Sequence, residues 1–85
     1  MRRRSYIDVL VEILNEALNG CTKTRLIYKC NLNYQSSKRH LTKLLNAGLL
    51  VKIKQTSNNA TLYKTSEKGK ELLQVLRRAR MLISG

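Results

Sequence analysis

The residues with the most chemistry to offer lie close together near the middle of the chain. Gln35, Ser36 and Arg39 fall on one side of a helical segment, with Lys38 and Lys43 flanking them. A glutamine amide can pair with adenine through two hydrogen bonds, and a guanidinium can fork onto guanine. Ser36 can reach a base or a phosphate, and the two lysines suit phosphate oxygens. Any solvated helix face carries polar residues, so only the setting of this one gives it meaning. A second set is Lys52, Lys54 and Lys64, which bracket a tip of small polar residues from Gln55 to Ala60. Such a tip can enter a minor groove while the lysines hold phosphates. Without an arginine there, shape reading by arginine insertion is not expected. Lysines also protect a hairpin edge from aggregation, which is the alternative use. Arg2, Arg3 and Arg4 form a flexible basic arm, suited to an adjacent groove or simply solvated.

Other constellations are incomplete. Cys21 and Cys30 with His40 supply three zinc-type ligands at wide spacing, with no C-x-x-C pair and no fourth ligand. If a helix separates the cysteines, they stand about 12–14 Å apart at 1.5 Å per residue. A disulfide needs Cα atoms within about 7 Å. Both read as small buried hydrophobes, and an intermolecular bridge stays open. The four glycines are isolated, so there is no phosphate loop. The acids lie in helix stripes rather than as a converging pair. Neither enzyme activity, nor a cofactor, nor a small-molecule substrate is expected.

The charge supports a polyanionic partner. The 85 residues carry 17 Lys and Arg against 5 Asp and Glu, a formal net charge of +12. The acids are Asp8, Glu12, Glu16, Glu67 and Glu71, so the 50 residues from Ala17 to Ser66 hold nine cations and no anion. A surface built only for solubility mixes its signs. The length fits one domain, 1–85, with a small aliphatic core, since the four aromatics are all Tyr. No run of 18 apolar residues suggests a membrane span, and Asp8 and Glu12 interrupt the segment after the basic start. The expected place is the cytoplasm, at the nucleoid.

These side chains need elements to hold them. The pattern predicts a first helix over 5–19, stopped by Gly20, and a short second helix over 23–30 capped by Thr22. In the second, Leu26 and Ile27 face inward, with Tyr28 or Cys30 filling space. Asn31-Leu32-Asn33 reads as a turn. A third helix follows over 34–47, closed by Gly48, with Tyr34, Ser37, Leu41, Leu44 and Leu45 as its core face. The period then changes to two from Leu49, giving a hairpin over 50–65. Ser66 caps a last helix over 67–83, with Glu67 early and Arg77, Arg78 and Arg80 late, as the helix dipole favours. The fold class is mainly α with a small β-hairpin (α+β). Two short helices joined by a tight turn and followed by a hairpin make a winged helix-turn-helix.

Three segments carry a family resemblance: Lys23-Thr-Arg-Leu-Ile-Tyr-Lys-Cys-Asn-Leu-Asn-Tyr34, Leu41-x-x-Leu44-Leu45-x-x-Gly48-Leu49, and Tyr63-x-x-Ser66-Glu67-Lys68-Gly69-Lys70-Glu71-Leu72-Leu73. Over about two thirds of its length the chain resembles archaeal winged-helix domains, a family of predicted transcriptional regulators. It includes small basic chromatin-associated proteins that dimerise through the C-terminal helix. The resemblance implies double-stranded DNA as partner and a dimer as working unit. Two positions depart from the family. Ser37 stands where a leucine is usual, and the last helix is shorter than the long coiled coil of the chromatin-type members.

Three uses compete. One is a dimeric transcriptional regulator with helix 34–47 in the major groove and hairpin 50–65 as wing. Another is an architectural chromatin protein with little sequence preference, and the third is a winged helix used for protein contact. Gln35, Ser36 and Arg39 on one face favour the first; the net charge and the arm favour the second. RNA is less expected, for want of an exposed aromatic platform. For a dimer, Leu72, Val75, Leu76, Ala79, Leu82 and Ile83 repeat every seven residues as a seam. Two heptads need more apolar surface, and the first helix has it in an arc of about 200° that includes Tyr6, Val9 and Ile13. Arg77, Arg78 and Arg80 could then face Asp8, Glu12 and Glu16 across the interface. The alternative is a monomer whose last helix folds back on its own first helix.

Overall fold

A computed structural model of the chain describes residues 5–55, 57 and 60–84. The elements are α1 (Tyr6–Glu16), α2 (Lys23–Lys29), α3 (Tyr34–Asn46), β1 (Leu50–Lys54), β2 (Thr61–Thr65) and α4 (Glu67–Ser84). Arg2, Arg3 and Arg4, and Thr56, Asn58 and Asn59 of the wing tip, lie outside the described residues.

Every helix begins at a polar side chain that accepts from a backbone N–H three residues on. Ser5 accepts from Asp8, whose carboxylate accepts in turn from the Ser5 N–H, a reciprocal capping box. Thr22 accepts from Arg25, Asn33 from Ser36, and Ser66 from Gly69. Such a cap is worth about 1 kcal/mol. The turn between α2 and α3 passes through Asn31 at φ 52°, a left-handed conformation that asparagine tolerates. α1 ends earlier than its apolar run: the chain tightens at Ala17 and turns at Gly20, where φ is 89°. That exit lets Cys21 pair with Tyr63 of β2 through two backbone hydrogen bonds of 3.0 and 2.7 Å. Leu49 falls outside β1, because its N–H closes the end of α3 on the Leu44 carbonyl.

The core is aliphatic. Ile13 and Leu14 of α1, Leu26 of α2, Leu44 of α3 and Leu50 of β1 are fully buried, with Leu73 of α4 alongside. Two hydroxyls belong to it. Thr65 donates to the Leu14 carbonyl at 2.6 Å while its N–H bonds Ala17, so β2 is tied to α1. Ser37 is fully buried and donates to the Tyr34 carbonyl at 2.7 Å, satisfying itself inside its own helix. The expected core face of α3 therefore holds at Ser37, Leu41 and Leu44. It fails at Tyr34, which is 69% exposed. Tyr34 sits in the first turn, and its ring lies under the Lys23 ammonium of α2 rather than in the core. Tyr28 is likewise exposed, and Cys30 takes the inward place at the end of α2.

α4 leaves the core at a close contact. Gly69 is buried, and a Cβ there would lie 2.7 Å from Thr65 Cγ2 and nearer still to the Leu49 carbonyl oxygen. Beyond Leu73 the helix runs along α1. Arg80 pairs with Asp8 at 3.5 Å, and Arg77 donates to Asn15 Oδ1. These arginines thus reach α1 of their own chain. The last turn of α4 holds no base.

Candidate nucleic-acid interface

The outer face of α3 is a continuous polar stripe. Gln35, Lys38, Arg39, Thr42, Lys43 and Asn46 line one shallow groove along it. A second hollow at its N-terminal end is lined by Asn33, Gln35, Ser36 and Arg39. The side chains converge because Leu41 and Leu44 fix the opposite face in the core, and at about 100° per residue positions 35, 39, 42 and 46 then point outward together. Gln35, Lys38 and Arg39 are all exposed. Ser36 stands at the margin and is half-buried. Its N–H serves the Asn33 cap, and its hydroxyl donates back to the Asn33 carbonyl at 3.3 Å.

The flank toward α1 is organised by rings. The Lys43 ammonium lies 5.4 Å from the centre of the Tyr6 ring, and that ring packs against His40 with centroids 5.5 Å apart. Tyr6 thereby borders the α3 face, whereas the apolar arc of α1 had put it with the dimer residues.

On the hairpin, register sorts the lysines. Lys52 stands opposite Tyr63 and Lys54 opposite Thr61, while Lys64 stands opposite Val51. Paired residues share a face of the ribbon, and successive residues along a strand take opposite faces. Lys52 and Lys54 are on one face with Tyr63, whose ring lies 5.9 Å from the Lys52 ammonium. Lys64 is on the other, so the three do not act as one group.

The local field is positive. Among the described residues, the ion pairs join Glu16 to Arg25 at 3.1 Å, Glu67 to Lys70 at 3.0 Å and Asp8 to Arg80. Arg25 is thus neutralised beside α1, while none of these pairs takes up Lys38, Arg39, Lys43, Lys52 or Lys54. Thr42, Asn46 and Lys23 also belong to the surface. The first two were legible from helical spacing, since Thr42 follows Gln35 by seven residues. No periodicity brings Lys23 to Tyr34; the crossing of α2 and α3 does.

Cys21 and Cys30 are buried free thiols. Desolvation pushes the Cys21 thiol above its ordinary range, Glu16 adds to the rise, and Arg25 opposes it. Among the described residues, no three potential metal ligands come together, and no helix is long and apolar enough to cross a membrane. Of the expected dimer residues, Ile13 is taken up by the chain's own core. Val9, Leu72 and Leu76 pack partly against that core. Ala79 is half-buried, while Val75, Leu82 and Ile83 are exposed.

The fold is similar to that of Sso10a-2, a DNA-binding protein from Sulfolobus solfataricus. The TM-score is 0.81 at 26% identity, with 95% of this chain and 83% of that chain covered. It is also similar to BldR, a transcriptional regulator from Sulfolobus solfataricus, with a TM-score of 0.73 at 18% identity. That match covers 93% of this chain and 58% of BldR, and at such identity it is a likeness of fold. No curated protein matches the chain. A family model described as winged helix-turn-helix matches residues 3–84. With the helix-turn-helix, the hairpin and the closing helix all in place along that stretch, the chain belongs to the winged helix-turn-helix family.

Proposed function

We propose that the protein binds double-stranded DNA as a homodimeric transcriptional regulator, with α3 in the major groove and the β1–β2 hairpin as its wing. The observation that carries this reading is the exposed stripe of α3. It presents Gln35, Arg39, Thr42 and Asn46 between Lys38 and Lys43, within a 50-residue stretch that has no acid. These side chains can exchange hydrogen bonds with base edges, while the lysines meet phosphates. The likeness to Sso10a-2, itself a DNA-binding protein, supports the partner. The dimer is supported by α4, where Val75, Met81, Leu82 and Ile83 are each more than half exposed. Large apolar side chains open to water at one end of a helix call for a partner surface. In this reading 1–85 is one winged-helix domain, Glu67–Ser84 its dimerisation helix, and the nucleoid its place in the cell.

A net charge of +12 on 85 residues also supports an architectural role, coating DNA with little sequence preference. Titration against random and genomic duplexes at fixed salt separates the two. A specificity ratio above about 10³ is expected for the regulator, and a lower one favours architecture. No binding to duplex near physiological salt would leave the winged helix as a protein-contact module.

A further inference from the structure

Lys23, Lys38 and Lys52 come from three elements, α2, α3 and β1. They line one depression of about 170 Å3, floored by Leu41, Leu45 and Tyr63. Two of the three ammonium groups stand by aromatic rings. Lys23 Nζ is 5.1 Å from the centre of the Tyr34 ring, and Lys52 Nζ is 5.9 Å from that of Tyr63. None of the carboxylates that pair among the described residues reaches this hollow, because they are engaged with Arg25, Lys70 and Arg80. Gathering three like charges over an apolar floor costs free energy unless an anion completes the site. An ammonium is a compact point donor, so three of them approaching from different elements suit an anion with oxygens on several sides. The exposure of Tyr34 also gains a reason here. Its ring, 69% open, is misplaced as core but well placed to hold Lys23 at the rim.

We propose that this junction seats a single phosphate group of the DNA backbone, with Tyr34 and Tyr63 as positioning residues for Lys23 and Lys52. The proposal rests on the DNA-binding reading. With α3 in the major groove and the hairpin over the neighbouring minor groove, the strand between the grooves passes over this hollow.

The test is duplex affinity as a function of salt for wild type, the three single Lys→Ala variants and the triple variant, each checked for a melting temperature no lower than that of wild type. Counterion release gives a log–log slope of about 0.9 per phosphate neutralised. Three lysines sharing one phosphate predict that the triple variant loses only about 0.9 of slope. A loss near 2.7 would mean three separate phosphates, and no loss would mean no contact; either overturns the seat. A scan of neutral methylphosphonate positions should find one that weakens the wild type and leaves the triple variant unchanged, and finding none counts against the proposal. Tyr34→Leu should weaken binding about two- to fivefold, the range of an exposed cation–π contact. Tyr34→Phe should restore it, and a Leu variant equal to wild type would end the positioning role. Millimolar inorganic phosphate should displace DNA no better than chloride at equal ionic strength. Excess displacement would reassign the hollow to free phosphate. A wild type that fails to bind duplex at all sinks the DNA reading and this seat with it, whereas the other failures sink the seat alone.

Discussion

Arg39 and Gln35 differ from the lysines around them in what their removal should do. Both have groups that can match a base edge, so Arg39→Ala and Gln35→Ala should each relax preference at one position of the site, at about 1–3 kcal/mol. Binding to a panel of singly substituted duplexes measures this, and losses equal across all sequences would mean that α3 does not read bases. Gly69 acts through packing. With the Leu49 carbonyl oxygen and Thr65 Cγ2 both too close to where a Cβ would stand, the latter at 2.7 Å, Gly69→Ala must push α4 away from the Leu49 backbone and the end of β2, at about 1–3 kcal/mol of stability. Thermal denaturation that leaves the melting temperature in place would refute the close contact. Cys21 gives a pH dependence. Its thiol is raised by burial, so the folded state resists ionisation where the unfolded chain has already ionised. The stability this contributes is complete below the ordinary thiol range, about 8.5, and declines as pH rises through the folded value. Denaturant midpoints between pH 7 and 10 should fall for wild type and fall less for Cys21→Ala.

The hairpin functions as a ribbon with two faces. Lys52 and Lys54 share the face that carries Tyr63, while Lys64 lies opposite Val51 on the other. Lys52→Ala should therefore weaken binding to all duplexes alike and reduce the salt slope by part of one phosphate, since Lys23 and Lys38 remain, whereas Lys64→Ala should do less. Equal losses for the two would show that the wing twists enough to bring both faces to the partner. α4 also has two parts. Its first turns are fixed by Leu73 in the core and by the Ser66 hydroxyl, which donates to the Gly48 carbonyl at 2.6 Å. Its later turns rest on Arg77 and Arg80, solvent-facing contacts worth about 0–1 kcal/mol each. The helix is thus anchored at one end and presents Leu82 and Ile83 at the other.

The whole molecule is longer than its mass requires. The radius of gyration is 13.2 Å, where about 12 Å is usual for this length, and the extents are 45 × 29 × 19 Å. The excess is consistent with the free end of α4, and a second copy packed there would cover it. Sedimentation equilibrium at tens of micromolar should give a dimer for wild type and a monomer for Leu82→Glu and Ile83→Glu. Both side chains are more than three-quarters exposed, so neither change disturbs the core. A monomeric wild type would remove the dimer, and with it the expectation of half-sites about 34 Å apart in a pseudo-palindrome. The +12 charge makes a separate prediction: affinity for duplex falls linearly with salt on a log–log scale. A flat response between low and physiological salt would exclude a phosphate-based interface.

Much of this was written in the sequence because it is local. Caps at Thr22 and Ser66, stops at Gly20 and Gly48, and the switch from a helical period to alternation at the hairpin each depend on a few adjacent residues, while Ser5, expected as the first residue of the first helix, is its cap. The polar stripe of α3 follows from the same periodicity once Leu41 and Leu44 are assigned inward. Tertiary structure alone decided what depends on residues far apart in the chain. The apolar arc of α1 did not reveal that Ile13 is used up inside its own core. Nor did the sequence reveal that Arg80 reaches Asp8 of its own chain. Tyr34 has the right angle for the core, yet it stays exposed and its ring meets Lys23 of α2. Lys64 is separated from Lys52 by a register that only pairing fixes. Periodicity gives the direction of a side chain from its own axis, but what it meets is set by where other axes cross. That crossing is the outcome of packing the whole core at once.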